Sequence, residues 1–233
     1  MVDRALLMKA ASWTPEQKAL YTSLVEQLLR RNPRGRRLIA VEGRDGVGKT
    51  RFADALQVAF ARAGVEAFRA SVDDFHRPQA FRYRQGRESS KGYYEDAFDI
   101  ELLDRVLLQP FRMGGSTGFQ TAAFDLATDR SIEMEWETAG PDAVLIVDGV
   151  FLQRPALAGK WHAVLLLEAD DRVRGARMRA RDGAHPDVAH ESHRRYREAH
   201  EHYERTVVPR RRAAFIVDNT DWRAPRQSFA DSC

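Results

Sequence analysis

The alternation of apolar and polar segments along the chain predicts short buried strands separated by helices. Continuous apolar runs at residues 38–41, 143–147 and 163–167 are typical of strands buried on both faces. Residues 65–72 and 215–217 read as two further strands. Parallel buried strands joined by crossover helices form an open sheet, so we expect an α/β fold of three layers around one parallel sheet.

The helix signals lie between these runs. Thr14, Pro15 and Gln17 form a capping box that opens an N-terminal helix, whose apolar residues recur along one stripe up to Leu29. Further helices are expected after Thr50, over residues 100–109, where Pro110 would end the helix, and over residues 170–181 and 193–207, where Pro209 would end it.

Segments outside the sheet predict three additional features. Residues 119–124 and 131–137 indicate a small β-hairpin insertion. Residues 174–195 indicate a helical lid, and residues 77–91 a polar loop that is either solvated surface or a mobile flap on the substrate side. We therefore expect an N-terminal helical extension over residues 1–36, loosely held at its start, and one main domain over residues 37–233 that ends in a polar tail.

The first strand runs into a glycine-rich loop that fits G-x-x-x-x-G-K-[ST] at every fixed position. Such a loop brings backbone N–H groups and a helix N-terminus to an anion, Lys49 can reach the β- and γ-phosphates, and Thr50 can ligate Mg²⁺. ATP and Mg²⁺ are thus the expected cofactors, and the fold is expected to be that of the P-loop nucleoside triphosphate hydrolases. The expected nucleotide-binding residues are Gly43, Asp45, Gly46, Val47, Gly48, Lys49, Thr50, Arg51 and Arg177.

Downstream acids favour a small-molecule kinase. Asp73 follows the second strand, where it can accept a hydroxyl proton, and Asp148 ends another buried strand, where it can hold Mg²⁺. Arginines between residues 174 and 181 could close over the phosphates and exclude water. The Asn-Lys-x-Asp guanine clamp of common GTPases is absent, and the chain is short for a large ATPase.

Composition and charge narrow the possible partners and the cellular location of the protein. The 233 residues are 43% hydrophobic and 30% charged, with a net charge of +3 and arginines in several clusters. This pattern argues against a nucleic-acid partner, which would require a concentrated basic face. Cys233 is the only cysteine, and no apolar run approaches the length of a membrane span, so we expect a cytoplasmic protein without a membrane partner. Five histidines between residues 185 and 202 favour surface or lid positions over a zinc site.

The ordered motifs resemble the phosphoribulokinase/uridine kinase family. They are the phosphate loop, Asp73-Asp74-Phe75-His76, Asp96-Ala97-Phe98-Asp99, Phe124-Asp125-x-x-Thr128-Asp129-Arg130, Asp148-Gly149 and Arg177-x-x-x-Arg181-Asp182. The resemblance covers residues 37–220 and implies ATP-dependent phosphorylation of a small-molecule hydroxyl, with Asp73 as base and Lys49 and Arg181 also catalytic. The acceptor residues it implies are Asp73, His76, Tyr93, Asp96, Phe124, Asp125 and Arg130.

Several departures fall on the acceptor side. Tyr93 and Tyr94 replace the stretch that carries a ribose-holding acid, and Asp129 replaces the histidine that reads the pyrimidine. A nucleoside kinase resembling uridine kinase is therefore the first hypothesis, and a pantothenate, sugar or other vitamin kinase is the alternative. A nucleotide-binding regulatory protein without turnover is a third, and the N-terminal helix could form a homodimer.

Overall fold

The computed structural model of the protein describes residues 12–228. The first eleven residues of the expected loose start, and Cys233, lie outside that range. The helices are α1 Pro15–Arg31, α2 Lys49–Arg62, α3 Gln79–Arg82, α4 Ser90–Asp96, α5 Ile100–Leu103, α6 Gln109–Met113, α7 Asp171–Asp182, α8 Arg194–Val207 and α9 Pro209–Arg212. The strands are β1 Arg37–Gly43, β2 Ala67–Ser71, β3 Phe124–Asp125, β4 Arg130–Ser131, β5 Val144–Gly149, β6 Ala163–Glu168, β7 Phe215–Asp218 and β8 Arg226–Ser228.

The main sheet has the order β2-β5-β1-β6-β7-β8, with β1 at its centre. The first five strands pair in parallel, which confirms the predicted three-layer α/β fold. Alternate residues of β1 enter two separate cores: Leu38 and Ala40 lie in one, and Ile39 and Val41 in the other. Because both faces of the strand are buried, its sequence is continuously apolar rather than alternating.

The sixth strand corrects the sequence analysis. The tail after Asp218 was expected to be irregular, but Arg226–Ser228 adds an antiparallel strand to the edge at β7. Residues 226–228 are polar, which is typical of an edge strand, because such a strand pairs through its backbone on one side only.

Helix α1 is stabilised by its N-terminal cap and by burial of its apolar stripe. The Thr14 hydroxyl accepts from Gln17 N, and the Gln17 side chain accepts from Thr14 N, so the predicted capping box is present. Its apolar stripe is buried in the same core as α2, and Gln17 Nε2 donates to the Trp222 carbonyl at 2.9 Å. The stripe that suggested a dimer is therefore used within the chain, and the dimer stays a prediction.

Pro110 does not end its helix, contrary to the expectation from its sequence. A π-helical turn at Asp104–Leu108 joins α5 to α6, which continues to Met113. The proline has no N–H to donate to the Val106 carbonyl, and that carbonyl instead accepts from Gln120 N at 2.9 Å. Likewise α8 ends at Val207, Val208 turns at a positive φ of 53°, and Pro209 starts α9 rather than only ending α8.

The hairpin has fewer paired residues than its sequence predicts, whereas the basic loop is more ordered than expected. The predicted hairpin lies outside the main sheet, but only β3 and β4 pair, together with a single bridge between Phe119 and Glu137. The loop 77–91 contains α3, and three of its arginines pair with acids elsewhere. These pairs are Arg77 with Asp99, Arg82 with Asp129 and Arg84 with Asp96.

Candidate active site

The phosphate loop joins β1 to α2, as its sequence predicts. Gly46 and Gly48 have positive φ angles of 78° and 93°. A Cβ at Gly46 would lie 2.7 Å from the Arg174 carbonyl oxygen, and one at Gly48 would lie 2.8 Å from Asn219 Nδ2. Both positions therefore require glycine for conformation and for space, and the resulting cradle fits a phosphate chain at the start of a helix.

Side chains from two distant segments hold this loop by its carbonyl groups. Asn219 Nδ2 donates to Val47 O at 2.7 Å, and Arg174 Nε donates to Asp45 O at 2.9 Å. Arg177 donates to Gly46 O and Val47 O, and also to the carbonyls of residues 219 and 220. These bonds fix the loop through its carbonyl groups and use none of its N–H groups. The sequence analysis missed Asn219, although its position just after a strand of the sheet was a signal.

The remaining predicted nucleotide residues lie around the loop. Lys49 Nζ donates to Arg44 O at 3.1 Å. Arg51 lies over the Trp222 ring at 4.4 Å, beside the segment that holds the loop. Burial opposes ionisation of Asp45, but His200, Lys49 and Arg174 together hold the pKa of this carboxyl below its usual range.

His200 corrects the expectation that the histidines lie on the surface or in the lid. It is only 5% exposed, and burial lowers its pKa, so the imidazole is neutral at pH 7. Its Nε2 lies 3.6 Å from Asp45 Oδ2, which is too long for a hydrogen bond. The ring packs against Phe151 behind the loop.

Asp148 lies where a Mg²⁺-binding acid is expected, but it also has a partner that the sequence did not reveal. Thr50 Oγ1 donates to Asp148 Oδ2 at 2.8 Å, and Arg69 donates to Asp148 Oδ1 at 2.8 Å. Asp148 is nearly fully buried, so the Arg69 guanidinium compensates a charge that would otherwise be costly.

The residues present fit a Mg²⁺ ion bound together with a nucleotide. Hydroxyl and carboxylate oxygens are the ligands Mg²⁺ prefers. Within residues 12–228, no group of three or more His, Cys, Asp or Glu side chains surrounds a common point. A Mg²⁺ ion bound with a nucleotide needs only one or two protein oxygens, because phosphate and water complete its coordination.

Asp73 lies in a short 3₁₀ turn, Val72–Phe75, directly after β2. Asp73 is exposed to solvent, but enough protein atoms lie near its carboxyl group to desolvate it partly, as expected at the mouth of a crevice. Burial raises the pKa of Asp73; Asp148 and Asp45 act in the same direction, while His76 and Lys49 oppose it. A raised carboxyl pKa brings this group nearer to the range that suits a general base.

Gly149 permits Asp73 and Asp148 to lie close together. A Cβ at Gly149 would lie 2.1 Å from Val72 Cγ1, so any larger residue would push the turn away from β5. The Asp-Gly pair at the end of β5 thus has a packing reason as well as a chemical one.

A series of ring contacts beside Asp73, called here the aromatic wall, comprises His76, Phe98, Tyr93 and Phe151. Two of these residues, His76 and Tyr93, are predicted acceptor residues. His76 Nδ1 donates to the Asp73 carbonyl at 2.7 Å, and its ring packs on Phe98 at 4.5 Å. Tyr93 continues the wall from Phe98 toward Phe151. Burial raises the pKa of Tyr93, and the charges of Asp45 and Asp73 raise it further, because a nearby negative charge disfavours the phenolate.

The other predicted acceptor residues have structural partners or lie apart. Asp96 is buried, and although burial opposes ionisation, hydrogen bonds from Arg84 and Gln85 lower its pKa. Asp125 accepts from Ala127 N and Thr128 Oγ1 within its own turn. Phe124 is buried next to Ala123, whose N–H donates to Asp74 O, whereas Arg130 is exposed. Their roles in acceptor binding stay predictions.

Arg181 is exposed and pairs with Asp182, yet it also lies within electrostatic reach of Asp45 and Asp73. The segment that follows it returns onto α7, because a Cβ at Gly175 would lie 1.7 Å from the Pro186 carbonyl oxygen. This arrangement places Arg181 at the rim of the crevice, as a lid residue would be.

A buried network supports the site from below and was not foreseen. The Glu42 carboxylate accepts from Gln153 N at 3.2 Å, from Gln153 Nε2 and from Tyr203 Oη at 2.8 Å. Burial raises the pKa of Glu42, and these donors act against that rise. The network joins β1 to α8 immediately below the phosphate loop.

Comparison with known proteins supports the fold. Neither a family model nor a curated protein matches the chain. A Bacillus stearothermophilus structure named a possible uridine kinase has a TM-score of 0.67 and 22% identity, covering 85% of this chain and 97% of that one. A Silicibacter structure provisionally named a fructose transport system kinase has a TM-score of 0.61 and 25% identity, covering 80% and 94%. A D-glycerate 3-kinase from Cryptococcus neoformans var. grubii has a TM-score of 0.57 and 13% identity, covering 88% and 96%.

These similarities confirm the predicted resemblance at the level of the P-loop kinase fold. The neighbours' names refer to three different acceptors, so the shared fold does not select one of them. No helix in the described part of the chain combines the length and apolar character needed to cross a bilayer.

Proposed function

We propose that the protein is an ATP-dependent kinase that transfers the γ-phosphoryl group to a hydroxyl of a small molecule. The observation that carries this proposal is Asp73, a carboxylate of raised pKa that lies beside Asp148 and within electrostatic reach of Lys49. The kinase names of the similar structures agree with it.

In the proposed reaction the acceptor oxygen forms a bond to the γ-phosphorus while the bond from that phosphorus to the β–γ bridging oxygen breaks. Asp73 takes the acceptor's proton, and ADP leaves with the electron pair of the broken bond. The loop N–H groups and Lys49 hold the phosphate oxygens in line, and Arg181 approaches from the rim to stabilise charge. Thr50 and Asp148 would hold Mg²⁺, which neutralises charge on the phosphates.

The site by itself does not select one class of acceptor. A nucleoside such as uridine remains the first sequence-based hypothesis, and pantothenate, sugars and other vitamins each offer a hydroxyl to Asp73. Cytoplasmic location and a homodimer are retained as predictions without further structural support.

The test is an acceptor panel assayed for ADP formation, with Asp73→Asn as the central variant. Turnover should fall roughly 10²- to 10⁴-fold, because a positioned base typically contributes that much. ATP affinity should stay within a few-fold of the wild type, because Asn keeps the shape of the side chain.

Asp74→Asn is the matched control, since it removes the neighbouring carboxylate from the same turn. Near-normal turnover by Asp73→Asn with an accepted substrate would show that Asp73 is not the base. ATP binding without turnover of any acceptor by the wild type would instead favour the regulatory alternative.

A further inference from the structure

Arg195 differs from the other buried arginines of the protein. It is 8% exposed and lies in the first turn of α8. Arg36, Arg37, Arg154 and Arg174 each donate to at least one carbonyl or carboxylate. Within residues 12–228, the Arg195 guanidinium has no such acceptor, and its Nε is buried without any hydrogen-bond partner.

Three tyrosine rings surround this guanidinium. Its Cζ lies 5.2 Å from the ring centroids of Tyr83 and Tyr93, and 5.3 Å from that of Tyr196. Ring faces attract a cation, but they supply no hydrogen-bond acceptor in the plane of the guanidinium. Burying a cation without a counter-ion is unfavourable, so an anion that reaches the free donors would stabilise this guanidinium.

The aromatic wall connects Arg195 to the catalytic crevice. Tyr93 lies 4.8 Å from Tyr196 on one side and 6.1 Å from Phe98 on the other, and Phe98 packs on His76 beside Asp73. Tyr196, which packs on this guanidinium, is partly exposed, so Arg195 lies close to the protein surface rather than in the middle of the core. The guanidinium is therefore separated from the base by a short series of rings.

Within residues 12–228, no hydrogen bond or ion pair joins Arg195 to an acid. Asp96 is bound by Arg84 and Gln85, Asp129 by Arg82, and Glu191 by Arg194. A ligand that carries both an anion and a hydroxyl would have groups complementary to this cation and to the Asp73 carboxylate.

We infer that Arg195 binds an anionic group, a carboxylate or a phosphate, carried by the acceptor whose hydroxyl lies at Asp73. The inference rests on the proposed kinase function and narrows its substrate class to small anionic alcohols. Planar guanidinium donors match the oxygens of either anion, and the tyrosine rings hold the fork in place before the ligand arrives. Neutral nucleosides lack the group that this subsite recognises.

The test compares acceptors that differ only in charge. D-glycerate is paired with glycerol, pantothenate with its alcohol analogue panthenol, and fructose 6-phosphate with fructose, while uridine represents neutral nucleosides. We expect at least one anionic member to be used with a kcat/KM at least tenfold above its neutral partner. The carboxylate pairs and the phosphate pair separately identify which anion is accepted.

Arg195→Met keeps the length of the side chain and removes its charge. The KM for the accepted anionic substrate should rise roughly 10- to 100-fold, as for the loss of a charge-assisted hydrogen bond, while the KM for ATP changes little. Arg205→Met is the control, because Arg205 lies on the same helix but is exposed. If Arg195→Met does not fold, Arg195→Lys replaces it, and its KM should rise for the anionic member of a pair only.

The outcomes separate this inference from the proposed function. Equal use of charged and neutral partners, or equal loss for both in Arg195→Met, would overturn the anion subsite and leave a kinase. Failure of every acceptor despite ATP binding would contradict the kinase function, and the subsite inference with it.

Discussion

Gly46→Ala tests whether the phosphate loop is held in shape by its contact with α7. An alanine here must adopt a positive φ, which costs about 1–2 kcal/mol for a residue with a side chain. Its Cβ would also lie 2.7 Å from the Arg174 carbonyl oxygen, and the backbone must then shift. Such overpacking typically costs about 1–3 kcal/mol more.

Gly64→Ala separates the two costs. Gly64 follows the C-terminal end of α2, the helix that begins at the phosphate loop, with a φ of 75°, close to the 78° of Gly46, but nothing lies within 4 Å of its Cβ position. It should therefore lose only about 1–2 kcal/mol of the free energy of unfolding. The excess loss in Gly46→Ala, about 1–3 kcal/mol, measures the contact with α7.

Equilibrium urea unfolding and calorimetric titration with ATP and Mg²⁺ measure the two variants side by side. Because the loop must move to accommodate the methyl group, ATP affinity should fall roughly 5- to 150-fold in Gly46→Ala and stay near the wild-type value in Gly64→Ala. Equal unfolding free energies and equal ATP affinities for the two variants would refute the assigned loop geometry.

Two further variants probe the buried charges. Tyr203→Phe removes a donor to Glu42 and should lower the free energy of unfolding by about 1–3 kcal/mol. Burial raises the folded-state pKa of Glu42 and this hydrogen bond lowers it, so the loss relative to the wild type should grow as the pH rises through that raised pKa, where the carboxyl ionises, while Tyr94→Phe should change little. A loss independent of pH in denaturant titrations would contradict an ionised Glu42. Arg69→Ala leaves Asp148 buried without its cation and should lower the free energy of unfolding by about 3–5 kcal/mol in EDTA. Mg²⁺ and ATP should restore part of this loss, because they bind the folded state. Asp54→Ala, which removes the other carboxylate partner of Arg69, should change the stability little. Thermal melts that show no difference between EDTA and Mg²⁺ would indicate that Asp148 holds no Mg²⁺.

The local parts of the fold were predictable because their causes are local. The capping box at Thr14 and the glycine pattern of the phosphate loop depend on neighbouring residues, and both occur as expected. Pro110 shows the limit of this reasoning. Whether a proline ends a helix depends on another partner for the freed carbonyl, and Gln120 N, ten residues later, provides it.

The candidate site likewise contains residues that the sequence predicted and residues that it did not. Asp73 and Asp148 could be located because carboxyl ends of parallel strands meet at one edge of a sheet. Arg69 and Arg195 could not, since nothing in their neighbouring sequence shows which distant groups they contact. The position of Asn219 after a strand indicated the edge of the sheet, but not its bond to the Val47 carbonyl. Asp96 is the opposite case. Its motif predicted a role in binding the acceptor, whereas in the structure its carboxylate pairs with Arg84.

By itself the sequence determined that a glycine-rich loop of the phosphate-binding type follows a buried strand and that acids lie at the ends of two further strands, because periodicity and backbone conformation depend on consecutive residues. Only the tertiary structure decided which cations are already neutralised and which are not. This chain contains many arginines of similar chemistry, and their roles depend on distances between segments far apart in the chain. Arg84 and Arg195 illustrate this: one is paired with a carboxylate, and the other lies buried among tyrosines without one.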